Sequence, residues 1–408
     1  LSASRSLVPA FYTPYTARHV TSSLTPDAVS NDLLRARALQ RGGNVVAAQA
    51  LCRALLAQRP HHIDALCLLG QLLVQGDHFG EAVLLLRRAA ALGADAVETD
   101  HDLARALIGC GRDDEAIPVL QIALRRSPTQ VSIVQLLAST LHRCMRFDEA
   151  RALLGDAVFQ MGATTAATDL LDYWANLMPD DPAPAHRLAA MRDSAPPARA
   201  ADEYVTYLFD RYADTFEQSL SGLGYQGPGL IAKLLQASGF APRKQLNILD
   251  AGCGTGLCAP ALLPYAAHLT GVDLSPAMVE KARQRGGYDS LVVAELSDFL
   301  GRHTAQFDLV AVMDTFVYFG ELGEAFRNAA KALRPSGFLA FTLEKTDAAS
   351  QGYQLNANAR YSHTLAYVSQ QLADAGFNIQ LLDDAVLRHN DAAPVHGLAV
   401  LASRGAAA

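Results

Sequence analysis

Small apolar residues recur through the first half of the chain at a fixed step. Ala48, Ala82, Ala116 and Ala150 stand 34 residues apart, and Leu55, Ala89, Ala123 and Ala157 follow each of them at one offset. Ahead of them, again at one offset, come Ala36, Gly70, Ala104 and Ala138. Helices that cross closely need small residues at the crossing and larger ones around it. Leu69, Leu86, Leu103, Leu120, Leu137 and Leu154 supply the larger set. Turn positions fall at Gly43, Asp77, Gly111 and Met145, and repeat ends at Pro60, Ala94, Pro128 and Gly162. Between Gly111 and Ala116 the chain reads as a helix stop, a turn and a new acidic N-terminus. The pattern predicts an α-solenoid of helix pairs over residues 29–195, with a degenerate fifth pair over 164–191 that includes Trp174 and Pro179. From residue 245 the period changes. Short apolar runs at 246–251, 269–273, 291–294, 309–313 and 338–343 alternate with helical stretches, as in a Rossmann-like, doubly wound α/β sheet. Prolines at 182, 184, 196 and 197 set the boundary near 195–200 and the second domain at 198–408. Residues 1–28, rich in Ser, Thr, Pro and Ala, read as a flexible leader.

The 34-residue register resembles the tetratricopeptide repeat. The resemblance implies a concave surface that binds a peptide or protein; a scaffold or dimerisation role is the alternative. The inferred groove positions, His101, Arg105, Gln135, Ser139, His142 and Arg143, are too mixed for a dedicated carboxylate clamp.

In the second domain the first strand runs into Asp250-Ala251-Gly252-Cys253-Gly254-Thr255-Gly256. A sharp strand-to-helix turn needs positive φ, and a ligand close to the backbone tolerates no Cβ. The spacing is not the Gly-x-Gly-x-x-Gly of a dinucleotide site. An acid at the strand end, Asp250, suits a cationic, amino-acid-bearing ligand better than a pyrophosphate. Ser275-Pro276 opens a helix as cap and first turn. Upstream, Phe209, Tyr212 and Phe216 share one helical face and read as core or as a lid, with Tyr225 in the following loop.

These residues, with those that follow, resemble a class I S-adenosylmethionine-dependent methyltransferase. The resemblance implies S-adenosyl-L-methionine as cofactor, held by Asp250, Gly252, Cys253, Gly254 and Gly256, by Asp273 and Leu274 at the ribose, by Met278, by Glu295 and Leu296 at the adenine, and by Asp314. Asp314 ends the fourth strand beside the methyl-transfer cleft, residues 333–337 form the turn before the fifth strand, and 397–403 is the last, antiparallel strand. A narrower likeness is to bacterial methyltransferases carrying a tetratricopeptide domain. It rests on the aromatic entry at 204–216, on Ser275-Pro276-Ala277-Met278, and on Arg360-Tyr361-Ser362-His363 followed by Tyr367. The chain departs from the commoner form by Glu295 for Asp and Ser336 for Gly. The implied catalytic residues are His363, Asp314 and Tyr361, and the implied acceptor-binding residues are Tyr212, Tyr225, Tyr318, Arg360 and Tyr367. Histidine suits a general base, with an ordinary pKa of about 6.5; a structural hydrogen bond is the other reading of His363. A hydroxyl or protonated amine acceptor needs a base, whereas a free amine or a carboxylate needs none.

Charge and composition narrow the partners. Lys and Arg total 34 against 41 Asp and Glu, so no global basic field for nucleic acid exists. No apolar run reaches the roughly 18 residues of a membrane helix. Six scattered cysteines without a ligand pattern point to a reducing, cytoplasmic setting and no metal. The sequence therefore predicts a methyltransferase acting on a protein, peptide or carrier-bound acceptor recruited by the repeats. The alternative is a small-molecule methyltransferase whose repeats mediate homodimerisation or assembly with a partner protein. A non-catalytic scaffold is opposed by the intact loop with Asp250 and Asp273.

Overall fold

The computed structural model describes residues 26–192, 196–347, 349–390 and 393–405. Most of the stretch read as a leader lies outside the described residues. Two compact units divide between Leu177 and Met178.

The first unit is helical: α1 (Pro26–Arg41), α2 (Val45–Gln58), α3 (Ile63–Gln75), α4 (Phe79–Ala91), α5 (Val97–Gly109), α6 (Asp113–Arg126), α7 (Val131–Arg143), α8 (Phe147–Met161) and α9 (Thr165–Leu177). Each helix packs on the next, so the pairs stack in chain order. Ala48, Ala82, Ala116 and Ala150 are fully buried, as the register requires. At Gly70 an added Cβ would lie 2.5 Å from Leu86 Cγ, which explains glycine where the other repeats carry alanine. The turn positions Gly43, Asp77, Gly111 and Met145 all have positive φ, between 59° and 78°. The repeat extends to charge. Arg53 pairs with Glu81, Arg87 pairs with Glu115, and both partners advance by one repeat. Helix starts repeat as well: Arg112 bonds Glu115 and Arg146 bonds Glu149, each at 2.6 Å.

The second unit runs α10 (Pro182–Met191), α11 (Asp202–Tyr212), α12 (Phe216–Gly222), α13 (Gly227–Ala237), β1 (Leu246–Ala251), α14 (Ala259–Leu262), β2 (Ala266–Asp273), α15 (Pro276–Arg285), β3 (Ser290–Val293), α16 (Leu296–Gly301), β4 (Phe307–Val312), α17 (Gly323–Ala332), β5 (Leu333–Lys345), β6 (Tyr353–Leu355), β7 (Tyr361–His363), α18 (Leu365–Asp374), β8 (Phe377–Asn390) and β9 (Ala393–Arg404). The strand order is β3-β2-β1-β4-β5-β7-β6, with β9 antiparallel to β5 and β8 on β9. Strands β1 to β5 pair in parallel. The order reverses between β1 and β4, the place where such sheets open a ligand crevice.

Three local expectations differ. The fifth helix pair is divided: α9 packs on α7 and α8, whereas α10 belongs to the second unit. There the His186 ring packs on Tyr204 at 4.6 Å and its Nε2 bonds the Ala359 carbonyl at 3.1 Å. Residues 333–337 are not a turn before the fifth strand but its first part, with Ser336 at φ 60° marking the irregularity. The aromatic stripe at 209–216 is not one helix, because the chain turns after Tyr212 and restarts at Phe216.

Candidate functional site

The glycine loop follows β1. Gly252 and Gly254 have φ of 75° and 52°, and a Cβ on Gly252 would sit 2.1 Å from Thr315 Oγ1. Gly252 and Cys253 donate their N–H groups to the Val272 carbonyl, tying the loop to β2. At the end of β2, Asp273 accepts from Gly254 N–H through Oδ2 at 2.8 Å and from Ser275 N–H through Oδ1 at 2.9 Å. Its carboxylate is thus fixed by the loop on one side and the start of α15 on the other. Ser275 caps α15, its Oγ accepting from Met278 N–H. Burial raises the pKa of Asp273.

Asp250 is buried at the end of β1, and burial pushes its pKa up to about 6. The Tyr288 hydroxyl donates to Asp250 Oδ2 at 2.6 Å, which favours the ionised carboxylate. Two glycines make room for this phenol. A Cβ on Gly271 would lie 2.9 Å from the Tyr288 ring, and one on Gly256 would lie 3.1 Å from it.

The loop and strand ends border a cavity of about 1090 Å³, open mouth included. Glu295 Oε2 accepts from Asp298 N–H at 2.7 Å and so caps α16. Its other oxygen, Oε1, is buried at the cavity wall without a hydrogen bond among the described residues, 3.6 Å from Arg199 Nη1. Phe209 and Phe216 form an aromatic cover, edge to face at 5.8 Å, and Phe209 meets Tyr318 at 5.5 Å. Asp210 pins this cover to α15 by accepting from Ser275 Oγ and Ala277 N–H. Glu217 adds an ion pair to Arg285.

At the far end Asp314 follows β4 with φ 56°, and its N–H donates to Thr342 Oγ1. Arg388 Nη1 donates to Asp314 Oδ1 at 2.7 Å, and Arg388 Nη2 donates to Glu344. The Arg360 guanidinium stands beside the same two acids at 3.6 and 3.9 Å and makes no hydrogen bond among the described residues. Burial acts to lower the Arg360 pKa, but the neighbouring Asp314 and Glu344 carboxylates oppose it and hold the cation. Burial raises Glu344, opposed by both arginines.

The cavity wall gathers Asp250, Gly252, Cys253, Gly254, Asp273, Leu274, Glu295, Leu296 and Asp314 from the expected cofactor set. It also gathers Tyr225, Tyr318 and Arg360 from the expected acceptor set. Gly256, Met278, Tyr212, Tyr361, His363 and Tyr367 are not in its lining. Gly256 serves Tyr288 instead, and Met278 is core beneath α15. His363 does not reach the cavity because β7 pairs with the end of β5 and buries its side chains. Its Nε2 bonds the Gly320 carbonyl at 3.1 Å, and burial drives its pKa down to about 4, so the ring is neutral at physiological pH. Tyr361 is also fully buried and donates to the Pro197 carbonyl. The Tyr367 hydroxyl accepts from Leu322 N–H, and its ring stacks on His363. Sequence reasoning missed Tyr288, Glu344, Arg388 and Arg199. The available signal was an acid, Glu344, ending the apolar run of β5, which in a central strand demands a buried cation.

The family described as a methyltransferase domain matches residues 249–341. A malonyl-[acyl-carrier protein] O-methyltransferase of Acetivibrio thermocellus is 33% identical over 27% of this chain and 39% of its own length. Human methyltransferase-like protein 27 is 29% identical over 42% of this chain and 66% of its own. A ubiquinone biosynthesis O-methyltransferase of Xylella fastidiosa (strain 9a5c) is 32% identical over 26% and 46% respectively. The chain thus spans less than two thirds of the length of these relatives. Among the described residues no helix is long and apolar enough to cross a membrane.

Proposed function

We propose that the chain is an S-adenosylmethionine-dependent methyltransferase whose acceptor is borne on a protein, peptide or carrier and recruited through the helix pairs. One observation carries the cofactor assignment. Asp273 is immobilised by two backbone N–H groups at the crevice, with its remaining lone pairs free for a pair of ribose hydroxyls. The rest of the wall fits. The buried Glu295 Oε1 lacks the donor that an exocyclic adenine amine supplies. The Asp250 carboxylate, held by Tyr288, suits the ammonium of the amino-acid end. When bound, S-adenosylmethionine supplies a methyl group on a sulfonium, an electrophile that needs alignment rather than activation. The chain's own contribution is orientation and dryness: Phe209 and Phe216 cover the cavity, and Tyr225, Tyr318 and Arg360 face the acceptor.

The likeness to a malonyl-[acyl-carrier protein] O-methyltransferase supports a carrier-borne acceptor. The likeness to ubiquinone biosynthesis O-methyltransferases favours a second reading, a free small-molecule acceptor with repeats used for assembly. The deciding experiment incubates the full chain with methyl-labelled cofactor and separated protein and metabolite fractions. Label in macromolecules supports the first reading; label confined to metabolites supports the second.

A further inference from the structure

The cavity lacks the group that would take a proton from an acceptor. Among the described residues no histidine or lysine lines it. Its carboxylates are committed: Asp202 to Arg199, Asp250 to Tyr288, Asp314 to Arg388, and Asp273 and Glu295 to the cofactor in the reading above. Burial moves the Tyr318 phenol away from ionisation. An alkyl amine or a hydroxyl keeps its proton at neutral pH and would need help, whereas a carboxylate, with a pKa near 4, arrives ionised. A cationic donor in the wall is open: Arg360 Nη1 is buried without a hydrogen bond among the described residues. Arg388 takes the hydrogen bonds of Asp314 and Glu344, and leaves the Arg360 guanidinium with ion pairs too long to be hydrogen bonds. At this end of the cavity the two arginines balance the two acids, and the guanidinium fork matches a carboxylate.

We propose that the methyl acceptor is a carboxylate, gripped by Arg360 and converted to its methyl ester. The proposal rests on the methyltransferase reading above. A lone pair of the carboxylate oxygen forms the O–CH3 bond as the S–CH3 bond breaks, and that electron pair stays on sulfur. Sulfonium and carboxylate become neutral thioether and neutral ester, and no proton moves.

The test uses the full chain, methyl-tritiated S-adenosylmethionine and four probes: malonyl-N-acetylcysteamine, hexadecanoate, catechol and hexylamine. Mild alkali releases methanol from a methyl ester but not from an aryl ether or methylamine. The expected result is tritiated methanol from a carboxylate probe alone. Calorimetry of that probe on the S-adenosylhomocysteine complex should weaken at least tenfold in Arg360→Gln and less in Arg360→Lys. Affinity for S-adenosylhomocysteine itself should hold in both variants, which shows that they fold. Alkali-stable label on catechol or hexylamine overturns the proposal, as does a chain that binds S-adenosylhomocysteine but neither binds a carboxylate probe nor methylates one from S-adenosylmethionine. A wild-type chain that binds no S-adenosylhomocysteine at all overturns the methyltransferase reading instead.

Discussion

The Tyr288 hydroxyl reaches across 2.6 Å to Asp250 Oδ2 from the loop before β3, through space left by Gly271 and Gly256. The third glycine of the loop therefore serves a side chain that holds the acid at the front of the site. Removing that bond disfavours the ionised carboxylate, which burial already strains. Tyr288→Phe should weaken S-adenosylhomocysteine binding about tenfold, the scale of a hydrogen bond to a charged group. In the wild type, affinity should fall as pH drops through about 6, where Asp250 gains its proton; in the variant that fall should begin at higher pH. Calorimetry between pH 5 and 8 measures both.

His363 makes a different pH prediction. Its pKa in the folded chain, about 4, lies below the unfolded value. Its contribution to stability is therefore present above about pH 6.5 and is lost as pH falls toward 4. The loss is on the order of 3 kcal/mol when complete. A glutamine keeps a donor for Gly320 without titrating. His363→Gln should flatten the acid-side decline in urea midpoint between pH 7 and 5 while leaving the pH profile of turnover unchanged. Loss of the acidic limb of turnover would instead make the histidine a proton carrier.

In the helix pairs, Ala116 and Ala150 have no exposed surface. Replacing either with leucine should overpack the crossing and cost about 1–3 kcal/mol. The Arg53–Glu81 and Arg87–Glu115 pairs are half exposed, so charge removal there should cost under about 1 kcal/mol. Thermal unfolding of the four variants ranks the two effects, and equal losses would contradict the packing argument.

What was legible in the sequence is what local chemistry dictates. The 34-residue register is written in small residues, because a crossing helix tolerates no larger ones, and all four alanines proved buried. Strand ends, the Ser275 cap and the glycine loop are likewise set within a few residues. The acceptor end was not legible, because long-range pairing sets it. His363 meets Gly320 through the β5–β7 register, and Arg388 comes from β8 to join Asp314, 74 positions away. Arg360 and His363 lie in one short segment, yet only Arg360 lines the cavity.

The cofactor site is the central claim, and Asp273 tests it most directly. Calorimetric titration of the full chain with S-adenosylhomocysteine should show one site per chain and none for NAD. Asp273→Ala should lose about 1.5–3 kcal/mol of that binding. Binding of NAD with no response to S-adenosylhomocysteine, or an Asp273→Ala chain that binds S-adenosylhomocysteine as the wild type does, would contradict the account.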